Sequence, residues 1–286
     1  MDAQAMKVAA VLGSGTMGNG IAQVLAQTGL EVRMYDIADA QLEKGMAAIR
    51  ANLDKGVEKG KVAAADRDAA LARLSTTTDL AAATRGVDVV VEAVPEKLEL
   101  KQELFQRLGE SLGAEVLLAT NTSSLSISRI AAVTRHPGRV VGMHFFNPVH
   151  LMKLVEVVEA EHGAEPCVLA AMELSRRMGK DPIRVKDAPG FASSRLGIAI
   201  GLEAMRMVEE GVASPADIDK AMVLGYGFPM GPLQLTDLVG LDVRLSIADY
   251  LYKEIGDRFL APRILRDKVA RGELGKKSGK GFYEWR

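Results

Sequence analysis

The stretch "MKVAAVLGSGTMG" (6–18) constrains the fold more than any other part of the chain. Its apolar run over 6–13 reads as a strand buried on both faces, the kind found in parallel sheets. Residues 19–29 follow with Ile21, Val24, Leu25 and Thr28 at helical spacing, and Gly29 closes that helix. Between strand and helix, Gly13, Gly15 and Gly18 stand in G-x-G-x-x-G spacing. The spacing alone is weak, because glycine-rich turns are common. In this setting each glycine has a mechanical role. Gly13 makes the tight turn, Gly15 lets the backbone approach a pyrophosphate, and Gly18 lets the helix pack close to the strand. Thr16 and Met17 complete the loop, where the helix N-terminus attracts phosphate charge. The bland alternative is an ordinary strand–helix turn; the flanking elements favour a dinucleotide fingerprint.

The first half of the chain continues the alternation. Strands are expected at 31–36, 87–94, 115–120, 139–145 and 153–160, with helical patterns between most of them and a helix over 165–179. That is the signature of an α/β domain with a mostly parallel sheet. The second half changes character. Helices are expected at 191–211, at 214–225 behind Ser214 and Pro215, near 232–256 and at 262–272. A Pro/Asp-marked stretch around 182–189 reads as a linker. The expected division is a nucleotide-binding domain over 1–186 and an all-α domain over 187–286.

Asp36 ends the second strand. A carboxylate there accepts hydrogen bonds from ribose hydroxyls and repels a 2′-phosphate, and "IADAQ" after it holds no cation to receive one. The expected cofactor is NAD rather than NADP; a solvated strand end is the alternative for Asp36.

In open α/β sheets ligands bind outside the carboxyl ends of the strands. "NTSSLS" (121–126) and His144 both land there. Imidazole, with an unperturbed pKa of about 6.5, suits proton transfer near neutrality. In "MKLVEVVEA", alternation puts Glu156 on one face with Met152, Leu154 and Val158, while Lys153 and Glu159 face the other way. A carboxylate among apolar neighbours needs a partner, and His144 on the adjacent strand end is the candidate. The competing reading is a satisfied core histidine plus an edge-strand glutamate. Ser123 is open to two readings: a polar group at the site, or the cap of a helix starting near Ser126.

With 48% hydrophobic and 26% charged residues the composition is that of a globular protein. A net charge of −1 supplies no bulk attraction to nucleic acid or an anionic membrane. The single cysteine, Cys167, excludes an internal disulfide and a multi-cysteine metal site, so no metal is expected. The N-terminus has no cleavable signal pattern and no apolar run reaches membrane-spanning length, so a cytoplasmic location is expected.

"GSGTMG", "VVEAVPE", "NTSSLS", "GMHFFNPVHLMKLVEVV", "DAPGF", "GYGFPMGPLQLTDLVGLD" and "GKKSGKGFYEW" together resemble the short-chain L-3-hydroxyacyl-CoA dehydrogenase family, nearest its 3-hydroxybutyryl-CoA dehydrogenases. The motifs keep family order over nearly the whole chain. The resemblance implies a Rossmann-type domain with a helical arm inserted after the second strand, and a helical C-terminal domain that mediates homodimerisation. It implies reversible NAD-dependent oxidation of an (S)-3-hydroxyacyl-CoA to the 3-ketoacyl-CoA. His144 is implied as general acid/base, Glu156 as its carboxylate partner, and Ser123 as the group hydrogen-bonding the substrate oxygen near the nicotinamide. Glu96, Lys101, Asn147 and Lys277 match cofactor-contacting positions, and Asn52 and Lys59 match contacts to CoA from the arm. Lys55, Lys59 and Lys61 are equally readable as a solvated basic face.

One departure stands out. The family usually reads P-G-F-x-x-N-R, with the asparagine reaching the substrate carbonyl; here "PGFASSR" puts Ser194 in its place. Serine is shorter and offers one donor. At 286 residues no fused hydratase domain is expected. Two other functions remain open: a related dehydrogenase of free 3-hydroxyacids or of a sugar acid such as L-gulonate, and a non-catalytic NAD-binding structural protein of crystallin type.

Overall fold

The computed structural model describes residues 1–285. The chain divides into two compact units, Met1–Ala188 and the remainder from Pro189. The first unit holds strands β1 (Val8–Leu12), β2 (Glu31–Tyr35), β3 (Leu74–Thr77), β4 (Val89–Glu92), β5 (Leu117–Thr120), β6 (Val140–Phe145), β7 (Leu154–Glu159) and β8 (Asp181–Lys186). Its helices are α1 (Thr16–Gln27), α2 (Asp39–Glu58), α3 (Ala64–Ala72), α4 (Leu80–Thr84), α5 (Leu98–Ser111), α6 (Ile127–Ala131) and α7 (Glu165–Arg177).

The strands form one sheet in the order β3-β2-β1-β4-β5-β6-β7-β8. The first six pair in parallel, β6 and β7 are antiparallel, and β7 and β8 are parallel again. The order 3-2-1-4-5-6 is that of Rossmann-type sheets, and it reverses between β1 and β4. The crevice at that reversal lies beyond Leu12 and Glu92. Strands β4, β5 and β6 are buried throughout, which is why they read as unbroken apolar runs.

Two strands escape sequence pattern. β3 ("LSTT") is half exposed and carries one large apolar residue. β8 ("DPIRVK") overturns the expectation of a linker over 182–189. It is an edge strand held by its backbone pairing to β7, with mostly exposed side chains. Pro182 at its start is tolerated because an edge strand has one unpaired side.

The helical arm is α2 and α3, inserted between β2 and β3. Leu42, Ile49 and Leu53 of α2 are buried in the main core. Each contributes roughly 1.5–3 kcal/mol by burial, enough to dock the arm firmly.

The second unit is helical: α8 (Ser193–Glu209), α9 (Pro215–Tyr226), α10 (Pro232–Val239), α11 (Leu241–Ile255) and α12 (Arg263–Ala270). The expected helix over 232–256 is two helices, broken at Gly240, whose φ of 104° no helix accommodates. Two aspartates hold this unit together. Asp219 accepts from the amides of Leu233 and Gln234 and from the Tyr283 hydroxyl. Asp237 accepts from the amides of Phe282 and Tyr283 and from Trp285 Nε1. Among the described residues no helix is long and apolar enough to cross a membrane, and no cluster of His, Cys, Asp and Glu has the makings of a metal site.

Candidate active site

The glycine loop sits at the mouth of the β1/β4 crevice. Gly13 has φ +97° and its amide donates to the Tyr35 carbonyl. A Cβ on Gly18 would lie 1.7 Å from the Gly13 carbonyl oxygen, so only glycine lets α1 pack this close. A Cβ on Gly15 would meet nothing within 4 Å; it would enter the open space in front of α1. Gly15 is the N-cap of α1, and the first turn carries no acidic residue, so the helix end is electrostatically suited to a phosphate.

Asp36 does two things. Its Oδ2 accepts from both the amide and the hydroxyl of Ser14 at 2.8 Å, clamping the loop. It also lines a cavity of about 590 Å³ with Gly13, Gly15, Thr16 and Met17. Ile37, Leu100 and Arg107 line it too. Ser14 was invisible as a site residue in the sequence, because nothing there shows it facing Asp36. The space beside Gly15, the uncapped helix end and the aspartate at the second strand together fit a dinucleotide.

Behind the loop after β4 lies a buried charge network. Lys101 of α5 is 1% exposed, and its ammonium reaches Glu92 at 2.6 Å, Glu96 at 3.4 Å and the Val94 carbonyl at 3.2 Å. Glu92 also accepts from Thr120 Oγ1 and from the Val94 amide, both at 2.6 Å. Burial pushes the Glu92 carboxyl up, and Lys101 pulls it back. Lys101, expected as a cofactor contact, is therefore held behind the loop, where it supports Glu96. Glu96 accepts from Thr122 Oγ1 at 2.5 Å and from the Ser123 amide at 2.8 Å. Glu92 carried no signal of its own: a carboxylate at a strand end looks like any solvated one.

The other half of the site comes from the antiparallel β6–β7 pair. His144 and Glu156 stand directly opposite in register, so their side chains leave the same face of the sheet. His144 Nδ1 and Glu156 Oε2 are 2.7 Å apart, with Glu156 fully buried and His144 5% exposed. The Phe146 ring lies 4.6 Å from the imidazole, centroid to centroid. The Phe145 amide donates to Asn121 Oδ1 at 2.9 Å, tying the end of β6 to the loop that carries Ser123. The helix after that loop is capped by Ser126, whose Oγ accepts from the Arg129 amide. Ser123 is thus not its cap.

Asn52 and Lys59, from the arm, and Asn147, from the loop after β6, line one groove of about 760 Å³. Lys55 and Lys61 line it too, so the three arm lysines share a concave surface.

Residues 8–188 match the family model "3-hydroxyacyl-CoA dehydrogenase, NAD binding domain", and 190–285 match "3-hydroxyacyl-CoA dehydrogenase, C-terminal domain". The chain belongs to the 3-hydroxyacyl-CoA dehydrogenase family. Its cofactor is NAD.

This 3-hydroxyacyl-CoA dehydrogenase is 42% identical to a 3-hydroxybutyryl-CoA dehydrogenase of Clostridioides difficile, over 96% of this chain and 98% of the other. It is 44% identical to the 3-hydroxyadipyl-CoA dehydrogenase of Escherichia coli, over 98% of this chain and 59% of that longer protein. The crystal structure of (S)-3-hydroxybutyryl-CoA dehydrogenase from Ralstonia eutropha superposes with a TM-score of 0.94 at 41% identity, covering 99% of this chain and 100% of that one. Two implied site residues of the dehydrogenase lie in its second unit. Ser194 is in the first turn of α8. Lys277 pairs with the Asp242 carboxylate at 2.6 Å.

Proposed function

We propose that the enzyme interconverts (S)-3-hydroxyacyl-CoA and 3-ketoacyl-CoA, with 3-hydroxybutyryl-CoA among its substrates, and that His144 moves the proton. The observation carrying this reading is the 2.7 Å contact between the imidazole and a fully buried carboxylate. Nδ1–H donates to Glu156, which selects the tautomer whose Nε2 bears a lone pair. During oxidation Nε2 removes the substrate hydroxyl proton; during reduction it returns it. Glu156 stabilises the imidazolium formed in between. NAD, when bound, supplies the hydride acceptor. Ser123 orients the substrate oxygen, and Glu96 fixes the backbone of that loop through the Ser123 amide. Asp36 receives the ribose hydroxyls and Asn147 contacts the cofactor, while Asn52 and Lys59 line the groove for the CoA arm.

The test is an activity panel. NADH or NADPH oxidation is followed with 3-ketoacyl-CoA thioesters of graded length and with free acetoacetate. Acetoacetyl-CoA should be turned over with NADH, with kcat/KM for NADPH lower by about tenfold or more, the scale of one hydrogen bond to a charged group. Equal turnover of the free acid would remove CoA from the reading.

The second unit also supports homodimerisation. Leu196 and Ile200 lie one turn apart on α8 and are 63% and 37% exposed; Leu224 and Tyr226 on α9 are 73% and 78% exposed. Exposed apolar groups at this density mark an association surface. Sedimentation equilibrium should return twice the chain mass; a monomer at micromolar concentration would reject it.

A further inference from the structure

The loop after β6 leads from His144 past Asn147 to His150, which borders both the CoA groove and a second, smaller hollow. The two share Gln27 and His150 in their linings. The hollow has a volume of about 250 Å³ and lies where α7 ends and β8 begins. His150, Lys153, Arg177 and Lys180 line it, and no carboxylate does.

Among the described residues none of these groups has an ion-pair partner. Lys153 donates to the Gly179 carbonyl at 3.2 Å. Lys180 is buried and donates to the carbonyls of Val149 and Met152. Arg177 donates to the carbonyls of Ala3 and Met6. Each cation is thus held in place by neutral acceptors. Burial and Lys153 push the Lys180 ammonium down to about 8. Burial, Lys180 and Lys55 push the His150 imidazole down as well. Other cations of the same unit are paired: Arg184 with Glu159 and Glu165, Lys101 with Glu92, Arg67 with Asp54. The shortage of negative charge covers the hollow and the groove beside it, where Lys55, Lys59 and Lys61 line the wall and no carboxylate does. A dianion entering it would turn mutual repulsion into charge-assisted hydrogen bonding.

We propose that this hollow seats a phosphate group from the nucleotide end of the acyl-CoA substrate. The proposal rests on the acyl-CoA reading above and adds a subsite to it. The shared wall with the groove makes the occupant the far end of the same ligand rather than a separate anion. The hollow then distinguishes a full CoA thioester from a bare pantetheine thioester that reacts at the same end.

Lys153→Ala is the test, since Lys153 is exposed and its loss leaves the core intact. Acetoacetyl-CoA and acetoacetyl-pantetheine are compared with saturating NADH. The ratio of their kcat/KM values should fall about tenfold in Lys153→Ala and further in Lys153→Glu, and Lys153→Arg should restore most of it. Lys253→Ala, on the surface of α11, should leave the ratio alone. Calorimetry with adenosine 3′,5′-bisphosphate judges the hollow independently of turnover: its affinity should fall about tenfold in Lys153→Ala. An unchanged ratio and unchanged bisphosphate affinity would overturn the proposal. Inorganic phosphate binding as tightly as the bisphosphate would also overturn it, by showing a general anion site. Normal bisphosphate binding in an enzyme that turns over no acyl-CoA would instead condemn the acyl-CoA reading and leave the phosphate hollow standing.

Discussion

His144→Ala lowers kcat for acetoacetyl-CoA reduction about 10²–10⁴-fold, the range for loss of a positioned general acid/base, while NADH affinity stays within about twofold of the unsubstituted enzyme. The two halves of that expectation come from different parts of the sheet. The glycine loop and Asp36 stand at the ends of β1 and β2, and β4 and β5 separate these strands from the β6–β7 pair in the sheet. Removing the imidazole therefore removes the proton carrier and leaves the nucleotide crevice intact. Steady-state rates and a fluorescence titration of NADH on the same preparation separate the two. Unchanged turnover would return His144 to the role of a core residue.

Glu156→Gln comes next in size. The amide keeps the shape of the carboxylate, so the β6–β7 register and the packing around it are preserved. Two electrostatic effects are lost. Glutamine carries no charge to stabilise the imidazolium. Its NH2 group is also able to donate to Nδ1, which selects the tautomer with the proton on Nε2 and leaves that nitrogen unable to accept one. Substitution of the corresponding carboxylate by its amide in a serine-protease triad costs about 10⁴ in kcat for this tautomer reason, and a loss of about 10²–10⁴ is expected here. The KM for acetoacetyl-CoA should move far less than kcat. A variant that loses KM and keeps kcat would make Glu156 a packing residue.

Much of this site was legible because two periodicities coincide with chemistry. The glycine spacing stood between an apolar strand and a helix, and period-two alternation set Glu156 apart from Lys153 and Glu159. The antiparallel register then brought it opposite His144. What stayed hidden depended on contacts between residues whose own patterns are ordinary. Glu92 and Lys101 each resemble surface charges; only the crossover from β4 into α5 buries them against one another. Ser14 becomes a clamp only when β2 delivers Asp36 beside it. β3 and β8 carry no apolar run, since edge strands are held by backbone pairing rather than by burial, so β8 read as a linker. His150 and Lys153 of the β6–β7 loop, Arg177 at the end of α7 and Lys180 in the turn after it meet only in the fold.

The most direct measurement of the proton assignment is kcat/KM against pH in both directions, for the unsubstituted enzyme and for His144→Ala. Reduction needs the imidazolium and oxidation needs the neutral ring, so one ionisation should give limbs of opposite sign: reduction falling and oxidation rising as pH increases. In His144→Ala both limbs should disappear and leave a low, flat profile. Limbs that persist unchanged without the imidazole would show that another group carries the proton.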